Sequence, residues 1–154
     1  MLSTPTKFFI SFGSCNAEHP LNAFDGALLS AGVGNTNLLR VSSILPPAAV
    51  EVKNLVLPYG ALVPIAYASK VSANSGERIA AAAGIGIPDD PTLPGLIMEY
   101  SCTGSKEEAE KTVLEMVEEG FAMRGFKLAE KRAVATDIVV DKAACAFSCV
   151  VLWY

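Results

Sequence analysis

Apolar and polar positions alternate with a period of two from Lys7 to Gly13, where Phe8, Ile10 and Phe12 oppose Phe9 and Ser11. That alternation predicts a first β-strand. After a loop through Cys15 and His19 the period changes. Ala23, Phe24, Ala27, Leu28 and Ala31 recur at helical spacing behind Pro20, which suits a first helical turn, and Gly32 supplies a stop. Asn37 to Ile44 reads as a second strand, ended by Pro46-Pro47. Val50–Val52, Ala61–Val71, Glu77–Ile87 and Gly95–Cys102 read as further strands. The alanine run Ala80–Ala83 would tolerate a helix, but Gly84 and Gly86 would weaken one by about 1 kcal/mol each, so the strand is preferred. Ser105 followed three residues later by Glu108 is a capping box. It predicts a helix to about Arg124 that buries Ala109, Val113, Met116, Val117, Gly120 and Phe121 and leaves Glu107 and Lys111 wet. Leu128–Val140 and Ala143–Tyr154 are expected to close the fold as an antiparallel pair. Many strands and two distant helices make an α+β domain.

Composition narrows the function. A chain of 154 residues suffices for one domain with its own core. It is 51% hydrophobic and only 18% charged, which predicts apolar surface buried between subunits. No apolar run approaches the length of a membrane helix, the amino terminus lacks the pattern of a secretory signal, and a cytoplasmic protein is expected. The net charge of −4 and the dispersed 12 basic residues argue against nucleic acid. Cys15, Cys102, Cys145 and Cys149 form no CxxC pair, and His19 is the single histidine, so neither zinc nor another metal is expected. Cys145 and Cys149 would share a strand face as packed, reduced thiols. The short glycine repeats Gly32-x-Gly34 and Gly84-x-Gly86 lack a phosphate-binding fingerprint, so no pyridoxal phosphate site is expected.

The stretch Arg40-Val41-Ser42-Ser43-Ile44-Leu45-Pro46-Pro47 carries the chemistry. Two hydroxyls close an apolar run just before a rigid turn, and buried hydroxyls need a partner or a use. A serine in a strained peptide can attack the preceding carbonyl and turn the amide into an ester. Elimination and hydrolysis then cut the chain and leave a pyruvoyl group in place of the second serine. An ordinary strand end is the other reading of Ser-Ser.

Further blocks join that motif. They are Pro20-Leu21-Asn22-Ala23-Phe24-Asp25-Gly26-Ala27-Leu28-Leu29, Gly34-Asn35-Thr36-Asn37-Leu38-Leu39-Arg40-Val41-Ser42-Ser43, Gly60-Ala61-Leu62-Val63-Pro64, Gly95-Leu96-Ile97-Met98-Glu99-Tyr100, and the end from Cys145-Ala146-Phe147 to Leu152-Trp153-Tyr154. In these blocks the chain resembles the pyruvoyl-dependent arginine decarboxylases, from about Leu21 onward. The resemblance implies a four-layer αββα sandwich of two mainly antiparallel sheets flanked by helices. It also implies trimers with sites at subunit interfaces. Cleavage is expected between Ser42 and Ser43, giving a β subunit of residues 1–42 and an α subunit of residues 43–154 that begins with the pyruvoyl group. The substrate would be L-arginine, the products agmatine and CO₂, the setting polyamine synthesis, and the amino group would condense with the ketone as an imine.

The same resemblance assigns Ser43 as nucleophile and pyruvoyl precursor, Ser42 as the attacked carbonyl and Asn37 to self-processing. Counted by twos along one strand, Asn37 and Ser43 share a face, where the amide could donate to the oxyanion. Glu99 lies among Leu96, Ile97, Met98 and Tyr100, a setting that would raise its pKa, and it is implied as the proton donor. Asp25 is implied to grip the substrate guanidinium with two parallel hydrogen bonds, with backbone carbonyls of Gly34 to Thr36 adding contacts. Two rivals stay open: a pyruvoyl decarboxylase of another amino acid such as histidine, and a non-processed, non-catalytic binding homologue.

Overall fold

A computed structural model describes residues 3–154. Strand β1 (Lys7–Ala17) leads into helix α1 (Pro20–Ala31), followed by β2 (Asn37–Arg40), β3 (Ile44–Leu45), β4 (Val50–Glu51), β5 (Leu62–Ser72), β6 (Arg78–Pro88) and β7 (Gly95–Thr103). Helix α2 (Lys106–Arg124), β8 (Leu128–Val139) and β9 (Ala143–Trp153) complete the chain. The strands form a five-stranded sheet in the order β2-β5-β9-β1-β4 and a four-stranded sheet in the order β3-β7-β6-β8. The inner pairings are antiparallel, while β2 on β5 and β4 on β1 are parallel edges. Helix α1 covers the first sheet and α2 the second, so the layers run αββα as expected.

The two central strands explain the apolar excess. Strand β9 is buried on both faces: Cys145, Phe147, Cys149 and Val151 pack under α1, while Ala144, Ala146, Val150 and Leu152 meet the second sheet. Burial pushes the Cys145 and Cys149 thiols up to about 12, which makes them packing groups rather than nucleophiles. Strand β6 is likewise covered by α2 and the first sheet, and its alanines permit close approach. Between the sheets the buried Ser148 hydroxyl donates to the Ala81 carbonyl at 2.8 Å, so the polar group in this layer is satisfied.

Both helices end as their sequences predict. Gly32 and Gly125 take left-handed conformations at the C-termini, and the Ser105–Glu108 capping box forms in both directions. In α2, Ala109, Val113, Val117, Gly120 and Phe121 are buried as expected, while Met116 is only half-buried. Among the described residues no helix is long and apolar enough to cross a membrane.

Three expectations from periodicity are corrected. The first strand continues past Gly13 to Ala17, because β9 offers partners along its whole length. The predicted second strand is two strands in different sheets: β2 pairs with β5, and β3 pairs with β7. The chain bends at Ser43 as it changes sheets, and a bend between two short strands leaves no mark on the alternation, so periodicity cannot reveal the switch. The last two strands do not pair with each other. Strand β8 pairs with β6 in the second sheet and β9 with β1 and β5 in the first, so the two face one another across the interior.

Gly13 sets how closely α1 approaches its sheet. A Cβ there would lie 2.7 Å from the Ala31 amide nitrogen and closer still to the Ala27 carbonyl oxygen, both main-chain atoms that cannot swing aside. Gly13→Ala is therefore expected to destabilise the fold by about 2 kcal/mol. The measurement is a lower urea midpoint at unchanged slope; an unchanged midpoint would mean that α1 lifts from the sheet at no cost.

Candidate active site

The residues from Val41 to Ser43 carry the chain from one sheet to the other. The last bond to the first sheet is Val41 N–H to the Ile65 carbonyl at 3.0 Å, and the first to the second sheet is Ile97 N–H to the Ser43 carbonyl at 2.7 Å. Between them Ser42 is exposed and makes no backbone hydrogen bond with another described residue. Its carbonyl is thus free of the ladder partner that would stabilise the amide. The strand-end setting of the serine pair is a bridge between sheets, followed by a turn at Pro46-Pro47.

The β3–β7 register positions Ser43 relative to Glu99. Ile44 opposes Leu96 and Leu45 opposes Gly95, and the Ile97–Ser43 bond continues that register by one residue. Directly opposed residues share a face, so Ser43 lies with Ile97 and Glu99 on the face turned towards the first sheet. Glu99 is then the diagonal neighbour of Ser43, about 7–8 Å away between backbone positions. On the other face Leu96, Met98, Tyr100 and Cys102 pack under α2, fixing which way the glutamate points.

Glu99 has a side chain only 18% exposed, with Oε1 3.8 Å from Nη2 of Arg40. Burial raises its pKa above the usual value of 4.5, and the nearby guanidinium opposes that rise in part. The setting matches the sequence expectation of a carboxyl among apolar neighbours. The sequence alone gives Arg40 no role beyond opening the stretch that holds Ser42 and Ser43. A basic residue closing an apolar strand was the available signal. Its partner surface, the ring of Tyr67 on β5, left no trace in the local pattern.

Asn37 and Ser43 do not share a strand face. Strand β2 ends at Arg40, and the Asn37 amide donates to the Gly60 carbonyl at 3.1 Å. In the single chain this side chain fastens the turn before β5. Asp25 stands exposed on α1, outside the first sheet, whereas Glu99 lies between the sheets. Sheet one therefore separates these two carboxylates within one protomer. The Asn35 carbonyl in the turn from Gly34 to Thr36 already accepts from Gly60 N–H at 2.8 Å. Around that turn Leu29, Val56 and Tyr59 expose large apolar surfaces beside one shallow hollow.

This donor set suits a group made from the chain itself: a hydroxyl, a free carbonyl and a desolvated carboxyl on one face. Comparisons with known proteins agree. Residues 7–154 match the family model described as pyruvoyl-dependent arginine decarboxylase. Proteins bearing that name share 52% identity in Methanocaldococcus jannaschii, over 97% of this chain and 91% of the relative. In Methanococcus vannielii the identity is 47%, over 97% and 92%. In Thermococcus kodakarensis it is 44%, over 98% and 97%. A match of this extent places the chain in the pyruvoyl-dependent arginine decarboxylase family.

Proposed function

We propose that this chain cuts itself between Ser42 and Ser43 and then decarboxylates L-arginine to agmatine and CO₂. The observation that carries the reading is the shared face of Ser43 and the desolvated Glu99, beside a Ser42 carbonyl free of the sheet ladder. In processing, Ser43 Oγ attacks the Ser42 carbonyl carbon and the amide becomes an ester. Loss of the Ser43 α-proton forms a Cα–Cβ double bond and breaks the Cβ–Oγ bond, so that Oγ leaves as part of the Ser42 carboxylate. Water then replaces the nitrogen of residue 43, which leaves as ammonia, and a ketone remains at the head of residues 43–154.

That ketone supplies the electron sink an α-amino acid needs when its carboxylate leaves as CO₂. Glu99 gives its proton to the carbon that CO₂ vacated. Its burial favours the protonated form at a pH where an exposed glutamate would be ionised. Asp25 accepts two parallel hydrogen bonds from the substrate guanidinium, a geometry that selects the planar fork. Because a sheet separates Asp25 from Glu99 within one chain, the site is completed across a subunit boundary, in keeping with a trimer. The exposed apolar group of Leu29, Val56 and Tyr59 supports such an assembly.

For Asn37 the support is the resemblance. Six residues of extended chain separate it from Ser43, on the order of 20 Å. An oxyanion role would therefore use the amide of another copy. Free thiols, two of them deeply buried, suit the reducing cytoplasm in which we place the protein.

Ser43→Ala is expected to run as one uncleaved band of 16.2 kDa on a denaturing gel, while the parent yields two fragments. An intact parent band after prolonged incubation of folded protein would remove the basis of the reading. Supplied with an amino-acid panel, the processed protein is expected to release agmatine; histamine without agmatine would assign a different substrate.

Glu99→Gln is expected to lower kcat by about 10²–10⁴-fold, the usual contribution of a positioned acid. The sign of the pH effect follows from a pKa raised in the folded state. The stability linked to this carboxyl is fully present below the usual 4.5 and is lost as pH rises through the raised value. Turnover declines as pH rises through that same raised value. Glu99→Gln should abolish that limb of the kcat profile.

Asp25→Asn is expected to raise KM for arginine about tenfold or more, the loss of a charge-assisted pair. An unchanged KM would take Asp25 out of the binding site.

A further inference from the structure

Arg40 is held in place by its own sheet. Its guanidinium carbon lies 4.5 Å from the centre of the Tyr67 ring, and Nη2 donates to the Tyr67 carbonyl at 3.0 Å. The same nitrogen stands 3.8 Å from Glu99 Oε1, too far for a hydrogen bond but close enough for a strong field. Stacking on an aromatic face and the permanent charge of a guanidinium put a fixed charge in a fixed place. Its side chain is 59% exposed, so the pair adds little to stability.

Within one chain, the remaining surroundings of Glu99 carry no charge among the described residues. Ala83 stands opposite it on β6. Across the interior, Ala66 of β5 and Val150 and Leu152 of β9 belong to the same apolar cluster as Ile97, its neighbour on that face. Ser43 of the incoming chain is neutral, and α2 packs on the other side of β7. Among the described residues, Arg40 is the charged group that reaches Glu99.

We propose that Arg40 is a positioning residue whose fixed charge sets how firmly Glu99 keeps its proton. This rests on the reading of Glu99 as the proton donor. Burial favours the protonated carboxyl and the guanidinium opposes it, and a catalytic acid works best when its pKa lies near the operating pH. The guanidinium stabilises the carboxylate left behind when the proton is given up. Arg40 lies in residues 1–42 and Glu99 in residues 43–154, so this control spans the scissile bond. The end of the short fragment, which has no part in the reacting bonds, thereby acts on the proton donor of the long one.

The test uses full-length Ser43→Ala protein, which lacks the hydroxyl for processing and keeps Arg40 and Glu99 in one chain. Glutamate side-chain carboxyl carbons are labelled with ¹³C, Glu99 is assigned by its loss in Glu99→Gln, and its titration is followed by NMR. Removing the charge with Arg40→Gln is expected to raise the Glu99 midpoint by about one pH unit. Arg40→Lys, which keeps the charge, is expected to recover at least half of that change. Circular dichroism identifies folded samples, and the exposed position of Arg40 makes both variants compatible with folding. An unchanged midpoint in Arg40→Gln, or a midpoint in Arg40→Lys equal to that of Arg40→Gln, overturns the proposal. The readout needs no turnover. Failure of the decarboxylase reading would appear separately, as a parent protein that releases no agmatine.

Discussion

The passage of the chain from one sheet to the other at Val41–Ser43 is the constraint on which the site depends. A backbone inside a sheet is bonded on both sides and presents no reactive carbonyl. A loop in water is free but points its side chains nowhere in particular. The crossing combines the two conditions: Val41 and Ser43 are each anchored by one ladder bond, and the residue between them is bonded to neither sheet. Ser43 is therefore registered against Ile97 while the peptide before it remains open.

Electrostatics reinforce the same geometry. Two ion pairs span the gap between the sheets, one towards each side of the sandwich. Arg40 beyond β5 reaches Glu99, and Arg132 on β8 meets Glu51 on β4 at 2.5 Å. Between them the interface is small and apolar, with Ala66, Ala81, Ala83, Ala144 and Ala146 allowing the layers to approach. Such packing leaves little water to screen Glu99 from one side, while the edge admits solvent from the other. A carboxyl placed there is partly dehydrated, which favours its protonated form.

Local chemistry was legible in the sequence where a short stretch of chain decides the outcome. The Ser105–Glu108 box, the glycine stop at Gly32, and the apolar stripe from Ala109 to Phe121 depend on neighbours within a turn or two. The apolar setting of Glu99 was legible for the same reason, since Leu96 and Met98 dictate which face it occupies. Sheet membership was not legible. Ser42 and Ser43 form a short bend between two strands that the apolar pattern runs straight through, so period-two counting joined β2 to β3 and wrongly put Asn37 on the face of Ser43. Strands β8 and β9 were paired for being adjacent in sequence, although two-sided burial of β9 demands neighbours from elsewhere. The Arg40–Tyr67–Glu99 arrangement joins three separate strands, and only tertiary structure brings them together.

The position of β1 has a consequence for refolding. It lies between β9 and β4 in the first sheet, and Phe8 is part of the buried layer between the sheets. A break after Ser42 would sever the covalent link without removing β1, α1 or β2 from the core. The result would be two polypeptides sharing one cooperative interior, held by complementation instead of a tether. Denatured and diluted, such a pair must meet again by diffusion, so rebuilding even a single protomer becomes a second-order process, whereas an uncut protomer refolds within one chain. Maturation would thus exchange a reversible folding unit for one that is assembled once and used until it is lost.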